Sequence, residues 1–175
     1  MTELLVLCTG NAARSVMAGF MFDVLRDGRP GEPLNVVTAG THTIDGQPMG
    51  LRTRTALTRL PELAETDFRR HRSRQVHGVD LVRADIVVVM EADHVRFVRR
   101  QFPDAAAKTA TIRYLTEHLP PSPPVLGERV AALGLGEVEL DDTEDVLDPA
   151  GHDADVYAAC VDELWTLCRT LITLL

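Results

Sequence analysis

The sequence is poor in cysteine. Its three cysteines, Cys8, Cys160 and Cys168, are an odd number at low density, which excludes a disulfide framework and fits a reducing compartment. No group of cysteines and histidines has the spacing of a zinc site. We therefore expect an intracellular protein that carries no metal and no cofactor.

Long apolar runs and a surplus of basic charge are also missing. No run reaches the ~20 apolar residues of a membrane-spanning helix, and the first residues lack the features of a signal peptide. The 26 acidic residues outnumber the 18 basic ones and give a net charge of −8, which argues against a non-specific nucleic-acid binder. We expect a cytoplasmic enzyme that contacts neither membrane nor nucleic acid, and the oligomeric state stays open.

Short apolar runs alternate with segments of helical periodicity along the 175 residues. The predicted strands span residues 4–7, 34–38, 86–90 and 110–115. The predicted helices span residues 15–25, 49–60, 93–102 and 155–175, and Asp93 is the expected cap of the third. This alternation predicts an α/β fold, in which residues 1–175 form a single domain with an open four-stranded parallel sheet and helices on both faces.

The first predicted strand leads into the loop Cys8-Thr9-Gly10-Asn11-Ala12-Ala13-Arg14, and a helix begins after it. In this fold class, ligands bind beyond the carboxyl ends of the strands. A tight loop at the head of a helix points backbone N–H groups inward and forms a seat for a tetrahedral oxyanion. The same positive field favours the thiolate of Cys8, which is the nucleophilic form. The loop therefore predicts phosphoryl transfer through a cysteine.

The residue types in this phosphate-binding loop have separate expected roles. Gly10 supplies the dihedral freedom of a curled loop. The planar fork of Arg14 can bind two phosphate oxygens at once. The hydroxyl of Ser15 can bond the Cys8 sulfur. The residues expected around the phosphate are Thr9, Gly10, Asn11, Ala12, Ala13 and Ser15.

An acidic and proline-rich stretch interrupts the alternation late in the chain, and residues 120–142 are expected to form a surface excursion. Hydrolysis through a thiolate needs a proton donor for the leaving oxygen, and the loop contains no acid. Asp148 is the candidate, because Pro149 restricts it to extended conformations on a rigid elbow. The sequence leaves four other candidates open: Asp141, Asp142, Asp145 and Asp153.

The string from Cys8 to Ser15 resembles the low-molecular-weight protein-tyrosine phosphatase family. Four later segments resemble the family in the same order, namely residues 37–41, 71–75, 85–90 and the Asp148-Pro149 pair. The resemblance covers nearly the whole chain, with extra length around residues 120–142.

The resemblance implies a metal-independent, two-step hydrolysis of phosphate monoesters, with phosphotyrosine on protein as the expected substrate and small phosphomonoesters as others. Cys8 would form a phosphocysteine, Arg14 and the loop amides would bind the phosphate oxygens, and Asp148 would act as general acid. The family also ties Asn11 to a hydroxyl and a histidine, which here would be Thr38 and His71.

Several positions depart from the family pattern. Ala13 stands where members often have a second cysteine that can protect the nucleophile, and Ala12 where a bulky residue often packs on the substrate ring. Ala150 and Gly151 replace an aromatic pair that walls the phosphotyrosine slot in many members. A slot with few aromatic residues would hold a phenyl ring less firmly, so phosphoarginine is considered as another substrate.

Two other functions use the same loop and fold. An arsenate reductase would need an external thiol, because no cysteine lies between Arg14 and Cys160. Cys160 and Cys168 are eight residues apart on a predicted helix, about 12 Å along its axis, which is too far for a disulfide. A non-catalytic phosphate-binding module would keep the loop without turnover.

Overall fold

A computed structural model of the chain describes residues 1–28 and 32–175. Its strands are β1 (Thr2–Cys8), β2 (Leu34–Gly40), β3 (Ile86–Val89) and β4 (Thr109–Thr111). They form one parallel sheet in the order β2-β1-β3-β4. This confirms the predicted fold class.

Helices cover both faces of this sheet. They are α1 (Arg14–Leu25), α2 (Leu51–Leu57), α3 (Gly78–Arg83), α4 (Ala92–Gln101), α5 (Ile112–His118), α6 (Leu126–Ala132) and α7 (Ala154–Leu174). Successive side chains of β1 point to opposite faces. Leu4 and Val6 therefore join the core beneath α1 and α7, whereas Leu5 and Leu7 join the core beneath α3 and α4.

The register of the strands brings three chain segments to one edge of the sheet. Cys8 at the end of β1 lies opposite Gly40 at the end of β2, and Leu7 lies opposite Val89 at the end of β3. The loops that follow these strands therefore meet at the carboxyl edge, where α/β folds bind their ligands.

The structure corrects two of the predicted elements. The fourth predicted strand, residues 110–115, ends at Thr111, because the Thr111 hydroxyl accepts a hydrogen bond from the Tyr114 N–H and caps α5. Asp93 is not the cap of α4, since it lies inside the first turn and the N-cap is Glu91. The carboxylate of Asp145 instead accepts the Ala92 N–H at 2.7 Å.

The predicted excursion contains α6 and then folds back over α4. Arg99 of α4 donates to the carbonyls of Leu135 and Val138, at 2.7 and 2.8 Å. The Val146 N–H then bonds the Met90 carbonyl at 2.8 Å, immediately beyond β3. These contacts deliver the segment before Asp148 to the carboxyl edge of the sheet.

Candidate active site

The Cys8 thiol is buried at the end of β1, facing the first turn of α1. Its Sγ lies 2.9 Å from the Ser15 Oγ. Within residues 1–28 and 32–175, the backbone N–H groups of residues 9–13 donate to no protein acceptor. Unpaired amides at the head of a helix are suited to bind the oxygens of a phosphoryl group.

Asn11 is the residue that shapes the phosphate-binding loop. Its φ of 47° lies in the left-handed region, which an asparagine tolerates better than most residues. The expectation that Gly10 supplies the special backbone conformation of the loop was wrong, because Gly10 is not one of the described glycines with positive φ, whereas Asn11 has that conformation.

The buried Asn11 amide connects the loop to three neighbours. Its Oδ1 accepts the Arg74 N–H at 3.1 Å, which fixes the orientation of the amide. Its Nδ2 donates to the hydroxyls of Ser15 at 3.0 Å and Thr38 at 3.1 Å. Since the Ser15 oxygen accepts from Asn11, its own proton is free to point at the Cys8 sulfur. The Ser15 hydroxyl can therefore donate a hydrogen bond to negative charge on the Cys8 sulfur, as a water molecule would.

We expect Asn11→Ala to lower the free energy of unfolding by about 4–5 kcal/mol, from ~1–2 kcal/mol of left-handed strain and the loss of the amide's hydrogen bonds to its three neighbours, worth ~1 kcal/mol each. Asn11→Gly loses the same bonds without the strain, so it should be more stable than Asn11→Ala by about 1 kcal/mol. Urea unfolding of both variants measures the difference. Equal stabilities would contradict a role for the positive φ.

Three further side chains hold the loop from outside. The His71 Nε2 donates to the Asn11 carbonyl at 2.9 Å, and burial lowers the pKa of His71, so the ring is neutral near pH 7. The hydroxyl of Thr43 donates to the Gly10 carbonyl at 2.7 Å, and that of Thr53 to the Ala12 carbonyl at 3.0 Å. The carbonyls of the loop thus point outward, which leaves its N–H groups for a ligand.

Arg14 is almost fully buried and binds two carboxylates. Its Nη1 donates to Glu91 at 2.7 Å and to the Val146 carbonyl at 2.9 Å, and its Nη2 donates to Asp148 at 2.6 Å. Burial opposes the charge, but the Glu91 hydrogen bond and the two carboxylate charges hold the pKa of Arg14 above its ordinary value. Arg14 therefore carries a permanent positive charge beside Cys8.

The structure distinguishes Asp148 from the other candidate acids. Asp148 contacts Arg14, and its side chain is 40% exposed, so it can reach a bound substrate. Asp142 forms an ion pair with Arg96 on the surface, and the Asp145 carboxylate accepts a hydrogen bond from the Ala92 N–H. Asp141 accepts the Thr143 N–H of its own turn, and Asp153 is the N-cap residue of α7.

Sequence reasoning missed Glu91 and His94, which both face the loop from α4. The His94 Nε2 lies 3.0 Å from the Thr9 hydroxyl and 3.2 Å from the Glu91 carboxylate. Burial lowers the pKa of His94 to about 4, so the ring is neutral near pH 7. Its proton is assigned to Nε2 because the neighbouring Glu91 carboxylate can only accept a hydrogen bond. The signal that could have identified Glu91 is its position in the sequence. It directly follows the predicted strand at residues 86–90, whose carboxyl end lies beside that of β1.

The mouth of the site has few aromatic side chains. Ala12, Ala150 and Gly151 are all exposed. His42 stands beside the mouth: its backbone N–H donates to the Thr9 carbonyl, and its ring packs edge-on against Phe97 with the ring centroids 5.3 Å apart. The mouth is therefore wide at Ala12, Ala150 and Gly151, where only small side chains stand.

Within residues 1–28 and 32–175, no helix is long and apolar enough to cross a membrane. In the same residues, no three or more His, Cys, Asp or Glu side chains are placed together to hold a metal ion.

The model of the family "Low molecular weight phosphotyrosine protein phosphatase" matches residues 3–122. The chain belongs to this family. The match contains the phosphate-binding loop and His71, but it ends before Asp148. The protein is a cysteine-dependent phosphatase.

Individual relatives extend the likeness of this phosphatase to the whole chain. A protein-arginine-phosphatase of Bacillus subtilis is 27% identical over 174 residues, which are 97% of this chain and 93% of the relative. A probable low molecular weight protein-tyrosine-phosphatase, EpsP of Ralstonia nicotianae, is 30% identical over 65% of this chain and 70% of its own. The low molecular weight protein tyrosine phosphatase of T. tengcongensis superposes with a TM-score of 0.75 at 26% identity, covering 98% of each chain.

Proposed function

We propose that this phosphatase removes phosphoryl groups from phosphorylated side chains of proteins, using Cys8, Arg14 and Asp148. The observation that carries the proposal is the 2.6 Å bond from Arg14 to Asp148. This bond places a carboxyl group beside the loop that holds a buried thiol, although 140 residues separate Asp148 from Cys8 in the sequence. We also propose that residues 1–175 act as one catalytic domain, in the cytoplasm, where thiols stay reduced.

In the first step, the Cys8 thiolate attacks phosphorus in line with the leaving atom. The S–P bond forms as the bond from phosphorus to the substrate breaks, and the leaving atom takes the proton of the Asp148 carboxyl group. The loop N–H groups and Arg14 bind the three equatorial oxygens, on which negative charge is spread in the transition state.

In the second step, the Asp148 carboxylate takes a proton from water, and the resulting nucleophile attacks the phosphorus of the phosphocysteine. The S–P bond breaks, inorganic phosphate leaves, and Cys8 returns as a thiolate stabilised by the Ser15 hydroxyl. The same side chain thus serves as acid and then as base.

Substrate binding must first release Asp148. Without a ligand, Asp148 bonds the Nη2 of Arg14, a position that a phosphate oxygen would take. The Nη1 bonds to Glu91 and to Val146 remain available to hold the guanidinium in place. Phosphate therefore replaces one of the two carboxylates and frees it to approach the leaving group.

Phosphotyrosine is the first candidate substrate, in keeping with the family. The wide mouth favours phosphoarginine as a second candidate, because no ring stands at Ala12, Ala150 or Gly151 to hold a phenyl group. A planar guanidinium would instead find the partly exposed carboxylate of Asp148 as its hydrogen-bond acceptor. The relative from Bacillus subtilis, whose alignment covers 97% of this chain, is a protein-arginine-phosphatase.

A substrate panel tests this proposal. We expect the native chain to release phosphate, with EDTA present, from para-nitrophenyl phosphate and from peptides with phosphotyrosine or phosphoarginine. One of the two peptides should have a kcat/KM at least about tenfold higher, the discrimination that side-chain pockets commonly reach. Phosphoserine peptides, whose phosphoryl group lies closer to the backbone than that of phosphotyrosine or phosphoarginine, serve as the comparison.

The panel also separates the rival functions. A folded, reduced protein without turnover of these substrates would contradict the proposal. Arsenate reduction with an added thiol would then indicate the reductase. Phosphate binding without either reaction would indicate the non-catalytic module.

A further inference from the structure

An open groove of about 1010 Å³ begins at the phosphate-binding loop and leads away from Cys8. We call it the side groove. Its walls include Gly10, Ala12, Ile44, Phe97, Gln101 and Phe102. Cys8, Arg14 and Asp148 are not among its lining residues, so it is separate from the phosphate seat, yet it shares two loop residues with it.

Helix α4 sets the direction and length of the side groove. His94 bonds Thr9 of the loop, and Phe97 and Gln101 follow at intervals of three and four residues, on the same face of the helix. At 1.5 Å per residue, the face from His94 to Gln101 extends about 10 Å from the loop. Since an extended chain rises ~3.3 Å per residue, this length accommodates about three residues of a bound peptide.

The lining of the side groove combines aromatic rings with the polar side chains of threonine, serine and glutamine residues. None of its lining residues has a carboxylate, guanidinium or ammonium group. The rings of His42, Phe97 and Phe102 form a continuous series, with centroids 5.3 and 6.0 Å apart. A charged peptide side chain would lose water there without meeting a carboxylate, guanidinium or ammonium group, whereas an apolar one would gain contacts with the rings.

Exposed apolar side chains also gather at the mouth of the site. Ile44, Leu51 and Leu147 are 74%, 68% and 61% exposed. We call these three the apolar rim. Ile44 follows the threonine that bonds Gly10, Leu51 begins the helix that bonds Ala12, and Leu147 precedes Asp148. Single exposed apolar residues are ordinary, and these three add apolar surface next to the site, where a bound substrate could cover it.

We propose that the side groove binds the segment of the substrate protein that flanks its phosphorylated residue. The segment is extended and uncharged, and it places an aromatic or branched aliphatic side chain within three residues of the phosphorylated one. This inference rests on the proposed function for the phosphoryl site itself. Three properties of the side groove support the proposal: it is continuous with the phosphate-binding loop, it is long enough for about three extended residues, and no carboxylate, guanidinium or ammonium group lines it.

Phosphotyrosine heptapeptides, with phosphoarginine counterparts, test the inference. All positions are serine except the central residue and one flanking position, which is Leu, Phe, Asp or Lys in turn. We expect Leu or Phe on one side of the centre to raise kcat/KM by about tenfold over Ser, the scale of burying one such side chain. Fluorescence anisotropy of labelled peptides with the Cys8→Ser chain measures the same preference without turnover.

Two variants link the preference to the groove. Ile44→Ser should lower kcat/KM for the Leu peptide more than it lowers kcat/KM for para-nitrophenyl phosphate. Its control is Val82→Ser, which removes a similarly exposed apolar residue from α3 and should leave the ratio of the two values unchanged. Gln101→Lys should shift the preference toward the Asp peptide, a gain that general damage to the fold would not produce.

The outcomes separate the two proposals. Turnover without any preference among the flanking residues, or a preference that Gln101→Lys leaves unchanged, would overturn the side groove and leave the phosphatase proposal standing. Preferential binding of the Leu or Phe peptides without turnover would support the groove and contradict the proposed chemistry.

Discussion

Replacing Cys8 with serine is expected to lower the turnover of para-nitrophenyl phosphate by at least about 10⁴-fold, on the scale seen when an enzyme loses its nucleophile. Serine has nearly the same shape and can keep the hydrogen bond with Ser15. Its hydroxyl does not ionise near neutral pH, so it is a far weaker nucleophile. The measurement is kcat with EDTA present, together with the unfolding midpoint of the variant.

Cys160→Ala is the matched control for this prediction. Burial raises the pKa of Cys160 to about 12 and that of Cys168 well above its ordinary value, so both stay as thiols. Their substitution should leave kcat within about twofold, because neither contributes a nucleophile. Turnover that survives Cys8→Ser, or that disappears in a stably folded Cys160→Ala, would refute a phosphocysteine on Cys8.

The sheet was predictable because its strands have a local signal. Buried parallel strands appear as short apolar runs, and Ile86–Val89 is the clearest of these. The error at residues 110–115 shows the limit of that signal. Ile112 and Leu115 belong to the core whether the segment is strand or helix, and one hydroxyl, that of Thr111, decides the boundary.

The site was predictable to the extent that its chemistry lies in one continuous loop. Cys8, Arg14 and Ser15 are recognisable by their spacing, which the loop geometry requires. Glu91 was missed because its partner Arg14 is 77 residues away, and a polar residue after a strand has no distinctive local pattern. The family resemblance linked Asn11 to Thr38 and His71, and both contacts are present. The left-handed φ of Asn11 was not predicted, since it depends on contacts with segments that are distant in the sequence.

Asp148→Asn provides the sharper test of mechanism, because it can separate chemistry from structure. The amide keeps the shape of the side chain and can still accept the Arg14 hydrogen bond, but it has no carboxyl proton to give. We expect kcat for phenyl phosphate to fall by about 10²–10⁴-fold, the usual contribution of a general acid. Asp153→Asn makes the same charge change a few residues later and should leave kcat nearly unchanged.

The leaving group distinguishes a general acid from a residue that only positions Arg14. Nitrophenolate is a much weaker base than phenolate and departs with little help from a proton. The quantity to compare is kcat/KM, which reports the step in which the leaving group departs and not the later hydrolysis of the phosphocysteine. Its loss on para-nitrophenyl phosphate should be smaller than its loss on phenyl phosphate, and kcat/KM of the variant should depend more steeply on leaving-group basicity. If Asp148 acted only by holding Arg14, both substrates would lose the same factor, since both place the same phosphoryl group on the loop. Equal losses would contradict the role of Asp148 as the acid and would assign proton transfer to another group or to water.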